Sequence, residues 1–127
     1  ALELATWLDG RDVLLSLNYP GLKSNEYNAL AKEYLPKGQS GLVTFGVKGG
    51  FEAAKKVTDA TKIFSLLANI GDTKSLIIHP ASTTHQQLTA EQQEGAGVGQ
   101  DLIRLSVGLE DIEDLKADLE QAFASLK

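Results

Sequence analysis

Asp101-Leu-Ile-Arg-Leu-Ser-Val-Gly-Leu-Glu-Asp111 decides the fold of this chain. Ile103, Leu105 and Val107 alternate with Arg104, Ser106 and Gly108. A period of two places the first set on one face of a strand and the second on the other. The apolar face packs on a core. The opposite face carries a guanidinium in mid-strand, which requires water, an anion or a carboxylate. Gly108 allows a bend, and a helix rich in carboxylates at its start follows: Glu110, Asp111, Glu113 and Asp114 suit the positive end of a helix dipole. Ile112, Leu115, Leu119, Ala122, Phe123 and Leu126 form that helix's core stripe.

The same reading extends to the rest of the chain. Leu2, Leu4, Ala5 and Leu8 have helical spacing, and Asp9-Gly10 ends them. With no cap at its start, this helix reads as the tail of a longer one. Because the chain opens on Ala1 directly into helical pattern, a piece of a longer protein is expected. Val13, Leu15 and Leu17 predict a strand with these three on the core face, and Asn18-Tyr-Pro-Gly21 a turn. Ser24 is a candidate N-cap for a helix to about Tyr34 with Tyr27, Leu30, Ala31 and Tyr34 buried. Leu42 to Val47 predicts the second strand. A helix follows Gly49-Gly50, from about Phe51 to Ala60. Ile63 to Leu67 reads equally as strand or helix. Ser75 to His79 is the third clear strand, with Leu76 and Ile78 assigned to the core face. Residues 81–100 are loop with one helical turn at 90–94.

Summed, four strands and the helices between them predict an α+β fold. It is a two-layer, four-stranded, mainly antiparallel sheet with helices packed on one face. The other face, with Ser16, Thr44, Gly46, Ser75, Arg104 and Ser106, is too polar for a second core.

Composition excludes several functions. At 127 residues, one domain spanning residues 1–127 is expected. The chain has no cysteine, hence no thiolate metal site and no disulfide framework, which fits a cytoplasmic setting. The net charge is −5 and the basic residues are scattered, so no nucleic-acid footprint is expected. No apolar run is long enough to span a membrane. His79 and His85 lack the spacing of a helical metal pair, so no metal site is expected. The glycines of 46–50 and 95–99 lack the spacing of phosphate-binding loops.

Several stretches resemble one family. Residues 102–115, Leu-Ile-Arg-Leu-Ser-Val-Gly-Leu-Glu-Asp-Ile-Glu-Asp-Leu, resemble a C-terminal signature of the pyridoxal-phosphate (PLP) enzymes of cysteine and methionine metabolism. Residues 69–85, Asn-Ile-Gly-Asp-Thr-Lys-Ser-Leu-Ile-Ile-His-Pro-Ala-Ser-Thr-Thr-His, resemble a second. Asn18-Tyr-Pro-Gly-Leu22 and residues 35–47 resemble two more, in the same order. Within the family, the pattern Gly71-Asp-Thr-Lys-Ser-Leu76 looks like the O-acetylhomoserine sulfhydrylase (homocysteine synthase) branch. The lyases and γ-synthases commonly carry Glu where Lys74 stands.

The resemblance implies the C-terminal domain of a fold-type I PLP enzyme. It implies that Arg104 grips the α-carboxylate of a small amino-acid substrate, with Ser75 beside it and Thr84 in the Thr83-Thr84-His85 run lining the approach. In isolation a mid-strand arginine is more often exposed or ion-paired, and a strand-start serine is mostly an edge or cap residue. No residue here is assigned a catalytic role. The family's Schiff-base lysine sits in an S-x-T-K context in a large domain, and Asp72-Thr-Lys-Ser75 is a different motif. No PLP is therefore expected on this piece, and by itself it is expected to be inactive. The intact enzyme implied is a PLP-dependent homotetramer making homocysteine and acetate from O-acetylhomoserine and sulfide, on the route to methionine. Cystathionine γ-synthase, methionine γ-lyase and a stand-alone amino-acid-binding regulatory module are the alternatives.

Overall fold

The computed structural model describes residues 1–127. In chain order the elements are α1 (Leu2–Leu8), β1 (Leu14–Asn18), α2 (Asn28–Tyr34), β2 (Leu42–Val47), α3 (Gly50–Ala60), β3 (Ser65–Leu66), β4 (Leu76–Ile78), α4 (Ala90–Gly95), β5 (Leu102–Ser106) and α5 (Ile112–Ala124). A short 3-10 turn, Pro80–Ser82, follows β4.

The strands form one sheet in the order β1-β2-β5-β4-β3. All neighbours run antiparallel except β3, which pairs parallel with β4. The sheet therefore has five strands, where the sequence reading predicts four. The fifth is the ambiguous stretch after α3, where Ser65 and Leu66 pair with Leu76 and Ile77. Two residues are too few for a period-two signal, so only the neighbouring strand reveals them.

The core lies on one face of this sheet. Val43, Phe45 and Val47 of β2, Ile103 and Leu105 of β5, and Ile77 of β4 meet Leu4 and Leu8 of α1, Ala54 and Val57 of α3, and Leu115, Leu119 and Phe123 of α5. The helix α5 takes its place through both its stripe and its cap. The Asp111 carboxylate accepts the amides of Glu113 at 2.9 Å and Asp114 at 3.4 Å, satisfying orphan donors of the first turn.

Three further expectations are corrected. The phase of β4 is the reverse of that predicted: Ile77 pairs with Leu105 on the core side, while Leu76 and Ile78 sit beside Ser106 and Arg104. Leu-Ile-Ile is apolar at every position, all three residues are buried, and the register of β5 settles the faces. In β1 a bulge between Leu14 and Ser16 aligns Leu14 and Leu17 with Val47 and Phe45. This leaves Leu15 61% exposed. The helix α2 is shorter than predicted because turns consume its expected first residues: Asn25 N–H donates to Leu22 and Asn28 N–H to Asn25, each at 3.0 Å. Its predicted stripe is not a stripe either. Only Ala31 is buried there, while Tyr27, Leu30 and Tyr34 are exposed. No helix is long and apolar enough to cross a membrane.

Candidate functional site

Arg104 occupies the middle of β5, with Thr44 of β2 and Ile78 of β4 as its lateral partners. Thr44 and Ile78 flank it on the face away from the core helices. Its guanidinium is partly exposed and reaches one protein acceptor, the carbonyl of Asn69, at 3.4 Å. It has no carboxylate partner: the ion pairs of the chain are Arg11 with Glu120, and Lys116 with Glu3 and Glu113. One long hydrogen bond leaves most of the five donors of this fork without a protein acceptor, and such a fork matches a carboxylate in bidentate geometry.

Ser75 lies at the start of β4 and is fully buried. Its amide donates to one oxygen of the Glu110 carboxylate at 2.8 Å, and its hydroxyl to the other at 2.6 Å. The same hydroxyl accepts the amide of Gly108 at 2.8 Å. Each polar atom of the side chain is thus committed within the fold. Burial pushes the Glu110 carboxyl up, but the hydrogen bonds from the Ser75 hydroxyl and amide outweigh it and hold the group below its ordinary value.

Gly108 is required by this arrangement. A Cβ there would stand 2.3 Å from the carbonyl oxygen of Thr73 and 2.6 Å from the amide of Ser75. The bend after β5 therefore lies directly on the backbone before β4, and Leu109 N–H donates to Thr73 at 2.8 Å.

Thr84 is exposed, with its hydroxyl 2.8 Å from Nδ1 of His85, and it makes no hydrogen bond to Arg104. The loop that carries it is held from below. Gln93 donates its amide to Ala81 at 3.0 Å and to His85 at 2.9 Å. His79, buried beneath the loop, stands 2.8 Å by Nε2 from the carbonyl of Gln100. A carbonyl only accepts, so Nε2 carries the proton. Nδ1 faces the Ser82 hydroxyl at 2.9 Å, and the ring packs edge-on against Phe51 with centroids 4.8 Å apart. These groups make His79 a satisfied structural histidine.

Two residues of this region carry no signal in the sequence. Glu110 reads there as one more acid at a helix start, and nothing separates it from Glu113. Asn69 reads as loop, yet its carbonyl is the atom beside Arg104. Ser106, two residues along β5 from Arg104, has a buried hydroxyl with no partner.

The chain's residues do not fit a PLP pocket. PLP-dependent chemistry needs a lysine amine held in a closed site. Every lysine except Lys116 is exposed, and Lys116 is spent on Glu3 and Glu113. No three His, Asp or Glu side chains converge as metal ligands.

Residues 1–124 match the family described as Cys/Met metabolism PLP-dependent enzyme. The chain belongs to this family. It is 52% identical over 124 residues to O-acetyl-L-homoserine sulfhydrylase 1 of Thermus thermophilus, covering 97% of this chain and 29% of that protein. A solved structure described as an O-acetylhomoserine (thiol)-lyase, from Campylobacter jejuni, superposes with a TM-score of 0.86 at 47% identity, over 96% of this chain and 29% of that one. That protein carries N'-pyridoxyl-lysine-5'-monophosphate. Cystathionine gamma synthase from Xanthomonas oryzae superposes with the same TM-score at 37% identity, over 96% of this chain and 31% of its own. The chain thus spans about three-tenths of the length of the family members it matches.

Proposed function

We propose that residues 1–127 are the C-terminal, substrate-carboxylate-binding domain of an O-acetylhomoserine sulfhydrylase. The observation that carries this reading is Arg104, a guanidinium on the sheet face away from the core helices, with no carboxylate partner. The greater identity to the sulfhydrylase than to the γ-synthase supports the choice of branch, as does Lys74 before Ser75.

In this reading Arg104 takes the α-carboxylate of O-acetylhomoserine by two parallel charge-assisted hydrogen bonds, and the rigid strand under it fixes the direction of the amino acid. Ser75 supports that site through the backbone it anchors, and Thr84 lines the approach. The PLP and its lysine belong to a large partner domain, which supplies the electron-withdrawing chemistry for exchanging acetate for sulfide. The intact enzyme is a cytoplasmic homotetramer, and the 127-residue piece alone is inactive.

Two measurements test this. The protein extended upstream to a large domain should convert O-acetylhomoserine and sulfide to homocysteine. A protein that cleaves cystathionine and ignores sulfide contradicts the assignment. The 127-residue chain mixed with PLP should give no stoichiometric, borohydride-trappable adduct, and one located on a single lysine here would also contradict it.

A further inference from the structure

The segment between β3 and β4 passes Arg104 at one end and Glu110 at the other. Its Asn69 carbonyl is the single acceptor of the Arg104 guanidinium. At the far end, Thr73 accepts Leu109 N–H, and Ser75 exchanges hydrogen bonds with Gly108 and Glu110. Between these ties the loop closes on itself: Asn69 donates to Asp72 at 3.1 Å, and Asp72 accepts Lys74 N–H at 2.9 Å. The loop is thus tied to Arg104 at one end and to Glu110 at the other.

The two brackets differ in strength. The Arg104 contact is long, at 3.4 Å, and its acceptor is neutral. The Glu110 contact uses both carboxylate oxygens at 2.8 and 2.6 Å on buried donors. Hydrogen bonds to an ionised acceptor are about twice as strong as neutral ones. A charged carboxylate would be a stronger acceptor for Arg104 than the neutral Asn69 carbonyl. With that tie released, the loop would be held by its Glu110 end.

We infer that Glu110 is a positioning residue of the carboxylate site: by gripping Ser75 it fixes the loop whose Asn69 faces Arg104. This rests on the assignment of Arg104 as the carboxylate ligand. The geometry makes two demands. Loss of Glu110 loosens substrate binding more than it slows the later chemistry, because both oxygens of its carboxylate are committed to Ser75. Its effect also travels through Ser75, so removing Ser75's hydroxyl and the Glu110 carboxylate together costs less than the two losses added.

The test uses the full-length enzyme with Glu110→Ala, Glu110→Gln, Ser75→Ala, Ser75→Ala/Glu110→Ala and Arg104→Lys. Glu110→Gln keeps one acceptor oxygen and provides the readout if the alanine variant fails to fold. Glu110→Ala removes both hydrogen bonds to Ser75 and should raise KM for the amino-acid substrate about ten-fold with kcat nearly unchanged. Glu110→Gln should fall between it and wild type, and the double variant should cost less than the two single losses combined, because the two substitutions share the Ser75 hydroxyl–Glu110 bond. In the 127-residue chain, amide exchange at Ser75 should quicken on Glu110→Ala. A raised KM for Arg104→Lys beside an unchanged KM for both Glu110 variants overturns the inference and leaves the carboxylate site standing. Full additivity of Ser75→Ala and Glu110→Ala also overturns it. An unchanged KM for Arg104→Lys overturns the site and this inference with it.

Discussion

The ring of Phe123 stands edge-on against the ring of Phe45, centroids 6.0 Å apart and planes at 81°. This contact ties the last helix to β2, whose neighbour β5, the central strand, carries Arg104. Edge-to-face pairs add to the burial that aromatic side chains already contribute.

Phe123→Ala should therefore cost roughly 3–5 kcal/mol, as large-to-small changes of buried aromatics do. That is a large share of a small domain's stability. Urea melts of the 127-residue chain check it, and a loss below about 1 kcal/mol would show that α5 does not seat on β2 through this ring.

Asp118 is the second point of attachment for α5. It is almost fully buried, and its carboxylate accepts the amides of Lys62 and Ile63 at 2.8 Å and of Phe64 at 3.0 Å. These donors lie in the turn that delivers β3. Asp118→Asn replaces one acceptor oxygen by a donor, leaving a buried N–H opposed, and should cost about 1–3 kcal/mol. A melt indistinguishable from wild type would contradict this account of the turn.

The Glu110 contact predicts a pH dependence. Its folded pKa lies below the ordinary glutamate value because of the Ser75 hydrogen bonds. The unfolded chain therefore binds the proton first, and the stabilisation is present above the unfolded pKa, about 4.3. It is lost as pH falls through the lower, folded pKa. The difference in melting temperature between wild type and Glu110→Gln should shrink on acidification from neutrality to about pH 3. A gap that stays constant over that range would contradict the assignment.

Much of the fold is legible in the sequence because it follows strong periodicities. The alternation of Ile103, Leu105 and Val107, the stripe from Leu115 to Phe123 and the run of acids at the start of the last helix each belong to one element and need no distant partner. Where the reading failed, a partner decides. Leu76-Ile77-Ile78 has no polar residue to set its phase, and β5 sets it. Leu15 turns outward because of a bulge that only pairing with β2 reveals. Tyr27 and Leu30 have helical spacing but face away from the core. At the site, Arg104 is visible as a charge in mid-strand. Glu110 is not, since its role depends on Ser75, 35 positions away.

The claim that Arg104 holds the substrate's α-carboxylate is tested most directly by kcat/KM for O-acetylhomoserine in the full-length Arg104→Lys enzyme, with a melting curve as control. Lysine keeps the charge and loses the two-pronged geometry. The account predicts a fall of about ten- to a hundred-fold, the equivalent of one charge-assisted hydrogen bond, with the melting temperature nearly unchanged because the guanidinium lies away from the core. An unchanged kcat/KM would contradict it and remove Arg104 from the site.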